Sequence, residues 1–161
     1  MLALTVVAVS LPNLVEGSRA HAAARSPLPL DAPDVVLQRH PEGCGAALLA
    51  TLLRRHGLPG SEAELLAAAP PGPDGISLAR FAALAVDRGL TGTWRRARDL
   101  RLPAPGFVAH LERPDGHFVW VADRAGDYLR IVDPAVGEAV WHRDSFLHRW
   151  SGRYLRLEPS V

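Results

Sequence analysis

The hydrophobic periodicity of this chain changes at Gly89, and that change limits the folds that the chain can adopt. Between Cys44 and Gly89, apolar residues recur at the three-to-four-residue spacing of amphipathic helices. After Gly89, short segments rich in β-branched and aromatic residues alternate with turns that contain Pro, Gly or Asp. Helices followed by antiparallel strands predict an α+β domain with two packed lobes. The expected strands are LTGTWRRA, GFVAHLE, HFVWVAD, DYLRIVD, EAVWH and RYLRLE.

Three helices are expected in the first half of the domain. The segment VLQRHPEGCGAALLATLLRRHG predicts a helix that begins at Cys44 and ends at the Arg-Arg-His-Gly sequence. Ser61 and Glu64 have the spacing of a capping box for a short second helix. Ser77 is expected to cap a third helix, which Gly89 ends. One last helical turn is expected in RDSFLHRW, between the final two strands.

The first 34 residues differ in composition from the rest of the chain. MLALTVVAVSLPNLV is apolar but shorter than the ~20 residues that cross a bilayer, and small-x-small cleavage patterns follow it. Residues 1–24 are therefore interpreted as a signal peptide or a disordered tail, and residues 25–34 as a Pro-rich linker. A signal peptide would place the domain in the periplasm or outside the cell, and a tail would leave it cytoplasmic or associated with a transporter. The folded domain is expected over residues 35–158.

The composition of the chain excludes several classes of site. A formal net charge of +1 does not indicate a nucleic-acid-binding protein, and the arginines of TWRRARDLRL are interpreted as a solvated strand edge. A single cysteine excludes an internal disulfide and a thiolate metal site. The sequence has no glycine-rich phosphate loop and no metal-ligand spacing, so no cofactor is expected.

Cys44 lies between two glycines at the expected N-terminus of the first helix. Backbone N–H groups and the helix dipole at such a position stabilise a thiolate, and the N–H groups can also donate to an oxyanion. Glycine on both sides leaves the sulfur open to a substrate backbone. We interpret Cys44 as a reactive thiol, with a small buried apolar residue as the alternative.

A thiol nucleophile needs a general base, and the chain has seven histidines. His117 is preferred because it begins the most apolar strand, directly after a Pro-Asp-Gly turn. The residues alone leave His40 open, since it is close to Cys44 in sequence. His110 lies in an apolar strand and is interpreted as a hydrogen-bonded core residue. The other histidines are assigned to the tail, a helix end and polar turns: His21, His56, His142 and His148.

Asp133 and Gln38 complete the set of candidates. A hairpin that turns at Ala125 and Gly126 would bring Asp133, at the end of one strand, beside His117, at the start of its neighbour. A carboxylate there would orient the imidazole, although an Asp-Pro sequence also commonly starts a turn. Gln38 is six positions before Cys44 and carries an amide that could donate to an oxyanion.

The order Gln38, Cys44, His117 and Asp133 and the segments around it resemble the bacteriocin-processing cysteine peptidases. The resemblance is carried by RRHGLPGSEAELL, GISLARFAALAVDRGL, LPAPGFVAHL, GHFVWVAD, YLRIVDPAVGEAVW and FLHRWSGRYLRL, and it extends from Val35 to Leu157. Members of that family are papain-like enzymes that cut leader peptides after a double glycine, often as the first domain of an export ABC transporter.

The resemblance implies a papain-like fold in which an N-terminal helical lobe packs on a C-terminal antiparallel β lobe. It implies that Cys44 is the nucleophile, His117 the general base, Asp133 the residue that orients it, and Gln38 the oxyanion donor. Two positions depart from the family. Gly43 stands where the family commonly has an acidic residue, and Trp120 interrupts a strand that is usually aliphatic.

The implied function is a cysteine peptidase that cleaves after small residues such as Gly-Gly in the leaders of exported peptides. The sequence contains no transporter and no nucleotide-binding motif, so a stand-alone domain with a separately encoded export ABC transporter as partner is expected. No nucleic-acid partner and no membrane span in the mature domain are expected. Two alternatives stay open: a non-catalytic peptide-binding module, and another papain-like cysteine hydrolase such as a cell-wall endopeptidase.

Overall fold

The computed structural model describes residues 34–112 and 116–160. The proposed signal peptide and all but the last residue of the proposed linker lie outside the described residues. The three expected helices are confirmed as α1 (Cys44–Arg55), α2 (Glu62–Ala68) and α3 (Leu78–Asp87). The last expected helical turn is a seven-residue helix, α4 (Arg143–Arg149).

Six of the strands form one antiparallel sheet with the order β2-β7-β3-β4-β5-β6. The remaining two, β1 and β8, form a separate antiparallel pair. The strand bounds in chain order are β1 (Leu90–Thr91), β2 (Arg95–Arg96), β3 (Phe107–Leu111), β4 (His117–Ala125), β5 (Tyr128–Asp133), β6 (Gly137–His142), β7 (Trp150–Leu155) and β8 (Glu158–Pro159).

The prediction of one strand over LTGTWRRA is wrong. Leu90 and Thr91 pair with β8, whereas Arg95 and Arg96 pair with β7 in the other sheet. Between the two pairs, the backbone of Gly92 passes so close to a neighbouring carbonyl that a side chain there would have no room. The chain therefore changes sheets at this point, which the alternation of the sequence does not show. β2 is an edge strand with both arginines exposed, as the solvated-edge interpretation requires.

The six-stranded sheet is covered on both faces. One face packs against the helical lobe through a cluster that includes Leu48, Phe81 and Phe118. The other face packs against α4 through a cluster that includes Phe146 and Trp150. This arrangement is the helical lobe on an antiparallel β lobe that the sequence predicts.

The helix α1 is the centre of the helical lobe. All ten residues from Cys44 to Leu53 are buried, so the helix is apolar on every side and cannot rotate or slide without opening the core. Its N-terminus is therefore held in one position against the sheet, and this position determines where the Cys44 side chain lies.

Candidate active site

Cys44 is the first residue of α1, as the sequence predicts. Gly43 occupies the N-cap without a side-chain hydrogen bond to the helix, and the first turn of α1 contains no acidic residue. The first-turn N–H groups of a helix have no intrahelical acceptor, so they are positioned to donate to a negative charge beside the sulfur. The Cys44 side chain is itself buried, with 7 % of its surface exposed.

Gly45 lies in close contact with the core. A Cβ atom at this position would lie 2.7 Å from Cδ1 of Ile76 and 3.3 Å from a ring carbon of Phe118. The glycine therefore lets Ile76 and Phe118 pack directly on the helix backbone beside the nucleophile.

His117 and Asp133 are brought together. The Nε2 atom of His117 lies 2.7 Å from Oδ1 of Asp133, and the same oxygen accepts a hydrogen bond from the backbone N–H of Ala135 at 2.8 Å. Asp133 is completely buried, whereas 21 % of the His117 side chain is exposed. The interaction with Cys44 also acts on the imidazole and raises the pKa of His117. Since Nε2 faces the carboxylate, Nδ1 is the ring nitrogen available to the thiol.

The hairpin between β4 and β5 differs from the expected one. Ala125 pairs with Tyr128, so the turn residues are Gly126 and Asp127 rather than Ala125 and Gly126. Gly126 has a φ of +59°, a value that a two-residue hairpin turn commonly requires of its first residue and that glycine adopts without strain.

The strand β4 also carries a bulge. Val121 pairs with Ile131 and Asp123 pairs with Arg130, so Ala122 is an extra residue without a ladder partner. A shift of one residue in register moves each following side chain to the other face of the sheet. The bulge therefore decides which β5 residues share a face with the start of β4.

The consequence concerns His117 and Asp133 directly. Beyond the bulge, Trp120 pairs with Val132, and this register puts Asp133 and Val119 on one face. His117 begins β4 two residues before Val119, so this register brings Asp133 near the start of β4, and the imidazole reaches the carboxylate at 2.7 Å. The register on the turn side of the bulge, if continued, would place Asp133 opposite Trp120 and away from His117.

The environment of His117 changes its acid–base behaviour. Burial favours the neutral imidazole and lowers the pKa, but hydrogen bonds to Asp133 and Cys44 and the negative charges of these two groups favour the imidazolium. The net effect raises the pKa of His117 from 6.5 to about 10. The ring is therefore protonated at neutral pH, which suits an ion pair with a thiolate.

Gln38 lies in the loop before α1, but its side-chain amide is engaged within that loop. Nε2 donates to the carbonyl oxygens of His40, at 3.2 Å, and Pro41, at 2.9 Å. The backbone N–H of Gln38 donates to the carbonyl of Pro134 at 2.7 Å, beside Asp133. The loop is thus attached to the strand end that carries Asp133, while both amide hydrogens of Gln38 have acceptors other than a substrate.

His110 is partly buried in β3. Its ring packs edge-on against Phe118, with 5.4 Å between ring centroids, and its Nδ1 atom has no hydrogen-bond partner in the described part of the chain. Burial lowers the pKa of His110, and this effect outweighs the opposing charge of Glu112. The His40 side chain bonds within its own loop, because its Nδ1 accepts the backbone N–H of Glu42.

Glu62 also belongs to this region, although it is not among the residues that the sequence predicts here. Glu62 is the first residue of α2, yet its carboxylate reaches the backbone of the loop that precedes Cys44. The capping-box pattern accounted for Ser61 and Glu64, and nothing in the sequence indicated that the neighbouring acidic residue turns inward.

The described residues hold no group of three or more His, Cys, Asp or Glu side chains that could bind a metal ion. Their helices include none that is long and apolar enough to cross a membrane.

A cavity of about 320 Å³ lies at the other end of α1 from Cys44. Its lining residues are Leu52, Arg55, His56, Gly106, Val108, Trp120 and Leu157.

Comparison with known sequences gives a family match. A model of the peptidase C39 family matches residues 33–161. The chain is 30 % identical over 130 residues to the probable functional amyloid protease FapD of Pseudomonas aeruginosa. The alignment covers 74 % of this chain and 58 % of FapD. It is 31 % identical over 129 residues to an uncharacterized protein of Methanothermobacter marburgensis, and that alignment covers 78 % of this chain and 89 % of the relative. The chain thus spans little more than half the length of FapD.

Two solved structures share the fold. A double glycine motif protease from an AMS/PCAT transporter, in complex with its leader peptide, gives a TM-score of 0.71 at 24 % identity over 78 % of this chain and 91 % of that chain. The peptidase domain of Streptococcus ComA, a bifunctional ABC transporter, gives a TM-score of 0.69 at 24 % identity. That match covers 78 % of this chain and 97 % of the ComA domain. These likenesses confirm the predicted papain-like α+β fold.

Proposed function

Because this chain belongs to the peptidase C39 family, a family of cysteine peptidases, we propose that Cys44, His117 and Asp133 form its catalytic triad. The observation that carries the proposal is the 2.7 Å contact between the His117 imidazole and the buried Asp133 carboxylate. Cys44 is close enough to the same imidazole to raise its pKa. This supports the arrangement of a cysteine hydrolase, in which the nucleophile lies beside the base and a third group orients the base.

The proposed reaction has two stages. The Cys44 thiolate attacks the scissile carbonyl carbon, and the His117 imidazolium gives its proton to the departing amine, which leaves a thioester. His117, now neutral, then takes a proton from water as the water attacks the thioester, and the acid product leaves with the thiolate restored. Asp133 holds the ring orientation throughout and stabilises its charged form.

The oxyanion of each stage would be bound at the N-terminus of α1, with the backbone N–H of Cys44 as one donor. Gln38 is proposed as the second donor, and the loop geometry supports this role. Its bond to the His40 carbonyl is the longer of the two, and that carbonyl also accepts the N–H of Gly43 at 2.9 Å. Gln38 can therefore give up this bond to an oxyanion without leaving the carbonyl without a partner.

The proposed substrate is a peptide with small residues such as Gly-Gly before the cleaved bond, in the leader of an exported peptide. The double glycine protease and the ComA peptidase domain, which share this fold, support the substrate class by analogy. An export ABC transporter is proposed as the partner on the same basis.

The proposal is tested by incubating the full chain with peptides that carry Gly-Gly, Gly-Ala or Leu-Leu before the expected cut, with mass spectrometry of the products. We expect cleavage after the small pairs and none after Leu-Leu. Cys44→Ala and His117→Ala, purified in the same way as the wild-type chain, should abolish cleavage. Cleavage after Leu-Leu would contradict the substrate class, and cleavage by Cys44→Ala would contradict the triad. A wild-type chain that binds the peptides without cutting any would favour a peptide-binding module.

A further inference from the structure

The carboxylate of Glu62 is buried against the loop formed by residues 38–43, here called the nucleophile loop. Glu62 is only 7 % exposed. Its Oε1 and Oε2 atoms accept the backbone N–H of Arg39 at 2.9 and 3.1 Å, and Oε1 also lies 3.3 Å from the backbone nitrogen of His40. A buried carboxylate needs such donors, so the loop and the carboxylate stabilise each other.

The fit depends on the absence of a side chain at Gly43. A Cβ atom there would lie 2.5 Å from Oε1 of Glu62 and 3.0 Å from the His40 carbonyl oxygen. The Glu62 carboxylate therefore occupies the space that a side chain directly before Cys44 would need. Residues 43 and 62 act as a matched pair, although they belong to different segments.

The Gln38 amide nitrogen also bonds within the nucleophile loop, whereas its buried Oε1 atom has no hydrogen-bond partner in the described part of the chain. The Gln38 amide donates to the carbonyl oxygens of His40 and Pro41, while Glu62 accepts N–H groups of the same segment. Together they define the backbone path from Gln38 to Cys44, whose two ends are the proposed oxyanion donors.

We propose that Glu62 is a positioning residue, which holds the nucleophile loop so that the Gln38 amide and the Cys44 backbone N–H converge on the oxyanion. This inference rests on the proposed function and adds a residue to it. Glu62 does not touch the thiol or the substrate in this scheme. It acts through the loop.

A second carboxylate on α2 provides a matched control. Glu64 accepts the backbone N–H and the hydroxyl of Ser61 at 2.9 and 3.0 Å, which completes the capping box. Glu64→Ala therefore weakens the start of α2 without removing a bond to the nucleophile loop. A loss of activity in Glu62→Ala alone would come from the nucleophile loop. A loss of activity in both Glu62→Ala and Glu64→Ala would come from a weakened α2.

The test measures kcat and KM for a cleaved peptide. We expect Glu62→Ala to lower kcat at least about 10-fold, up to the ~10²–10³-fold typical of a lost oxyanion donor, with KM changed by less than about 2-fold because substrate binding is not its role. Glu62→Gln keeps an acceptor oxygen and should recover most of the loss. Glu64→Ala should leave kcat unchanged. Equal losses in Glu62→Ala and Glu64→Ala would overturn the proposal.

A double-mutant cycle with Gln38→Ala tests the connection between the residues. If Glu62 acts by placing Gln38, then Glu62→Ala should cost much less kcat in the Gln38→Ala background than in the wild-type chain. Fully additive losses would show that Glu62 does not act through Gln38 and would overturn the proposal.

Amide hydrogen exchange separates this inference from the proposed function, since it needs no turnover. The amides of Arg39 and His40 should exchange at least about 10-fold faster in Glu62→Ala than in the wild-type chain, and should be unchanged in Glu64→Ala and Cys44→Ala. Unchanged exchange in Glu62→Ala would overturn the positioning role even if the triad proposal holds. Faster exchange in a chain that cleaves no peptide would refute the triad proposal while the loop contact stands.

Discussion

The Nε2 atom of His117 and the Oδ1 atom of Asp133 are 2.7 Å apart, although the two residues are 16 positions apart in the chain and begin and end different strands. The carboxylate is fully buried and the imidazole is partly exposed. The carboxylate end of the contact is therefore shielded from water, and changes to either residue should alter the protonation of the pair.

Replacing Asp133 with Asn should shift the alkaline limit of activity. With Asp133 present, the pKa of His117 is about 10, so activity should fall as the imidazolium loses its proton near that pH. Asparagine removes the negative charge, which lowers the pKa of His117 by about 1–3 units. The alkaline limb of the kcat/KM profile should move down by a similar amount. An unchanged limb would contradict the assignment of that limb to His117.

The stability of the fold should depend on pH through the same residue. The pKa of His117 is raised from 6.5 in the unfolded chain to about 10 in the fold. Its contribution to the free energy of unfolding is therefore complete below pH 6.5, declines as the pH rises and is lost above about pH 10. Urea denaturation at pH 6, 8 and 10 should show this decline. His117→Gln is the control, and an equally steep decline in that variant would assign the effect to other groups.

Gly45→Ala should destabilise the protein because the new Cβ would collide with Ile76 and Phe118. We expect a loss of about 1–3 kcal/mol in the free energy of unfolding, as for other overpacked cores. Ile76→Ala removes the two closest side-chain atoms, so the double variant Gly45→Ala with Ile76→Ala should be less destabilised than the sum of the single changes. Additive losses, measured by urea denaturation, would contradict the steric explanation.

Ser61→Ala should affect stability without affecting the chemistry. The Ser61 hydroxyl accepts the N–H of Glu64 and completes the capping box of α2. Its loss should cost about 1 kcal/mol of unfolding free energy, measured by urea denaturation, while kcat stays the same. A fall in kcat comparable to that of Glu62→Ala would show that the start of α2 as a whole, rather than Glu62, controls the nucleophile loop.

Much of the architecture follows from local patterns along the chain. The start of α1 at Cys44 and the caps at Ser61 and Ser77 were predictable because side-chain caps and hydrophobic spacing act over only a few residues. Strands β3 to β6 were predictable within a few residues for the same reason. The split of LTGTWRRA was not, because it depends on the close approach of Gly92 to the C-terminal segment, a contact between residues far apart in sequence.

In the candidate site too, local patterns predicted some features and contacts between distant segments decided others. The sequence by itself determined which residue types were available: one thiol at a helix start, a histidine at a strand start and an aspartate at the end of the following strand. Only the tertiary structure decided that the histidine and aspartate are in contact, because the bulge at Ala122 changes by one residue the register that aligns their strands. It also decided that Gln38 and Glu62 hold the nucleophile loop between them. A register shift and a buried carboxylate both depend on packing between distant segments, and neither leaves a local pattern in the sequence.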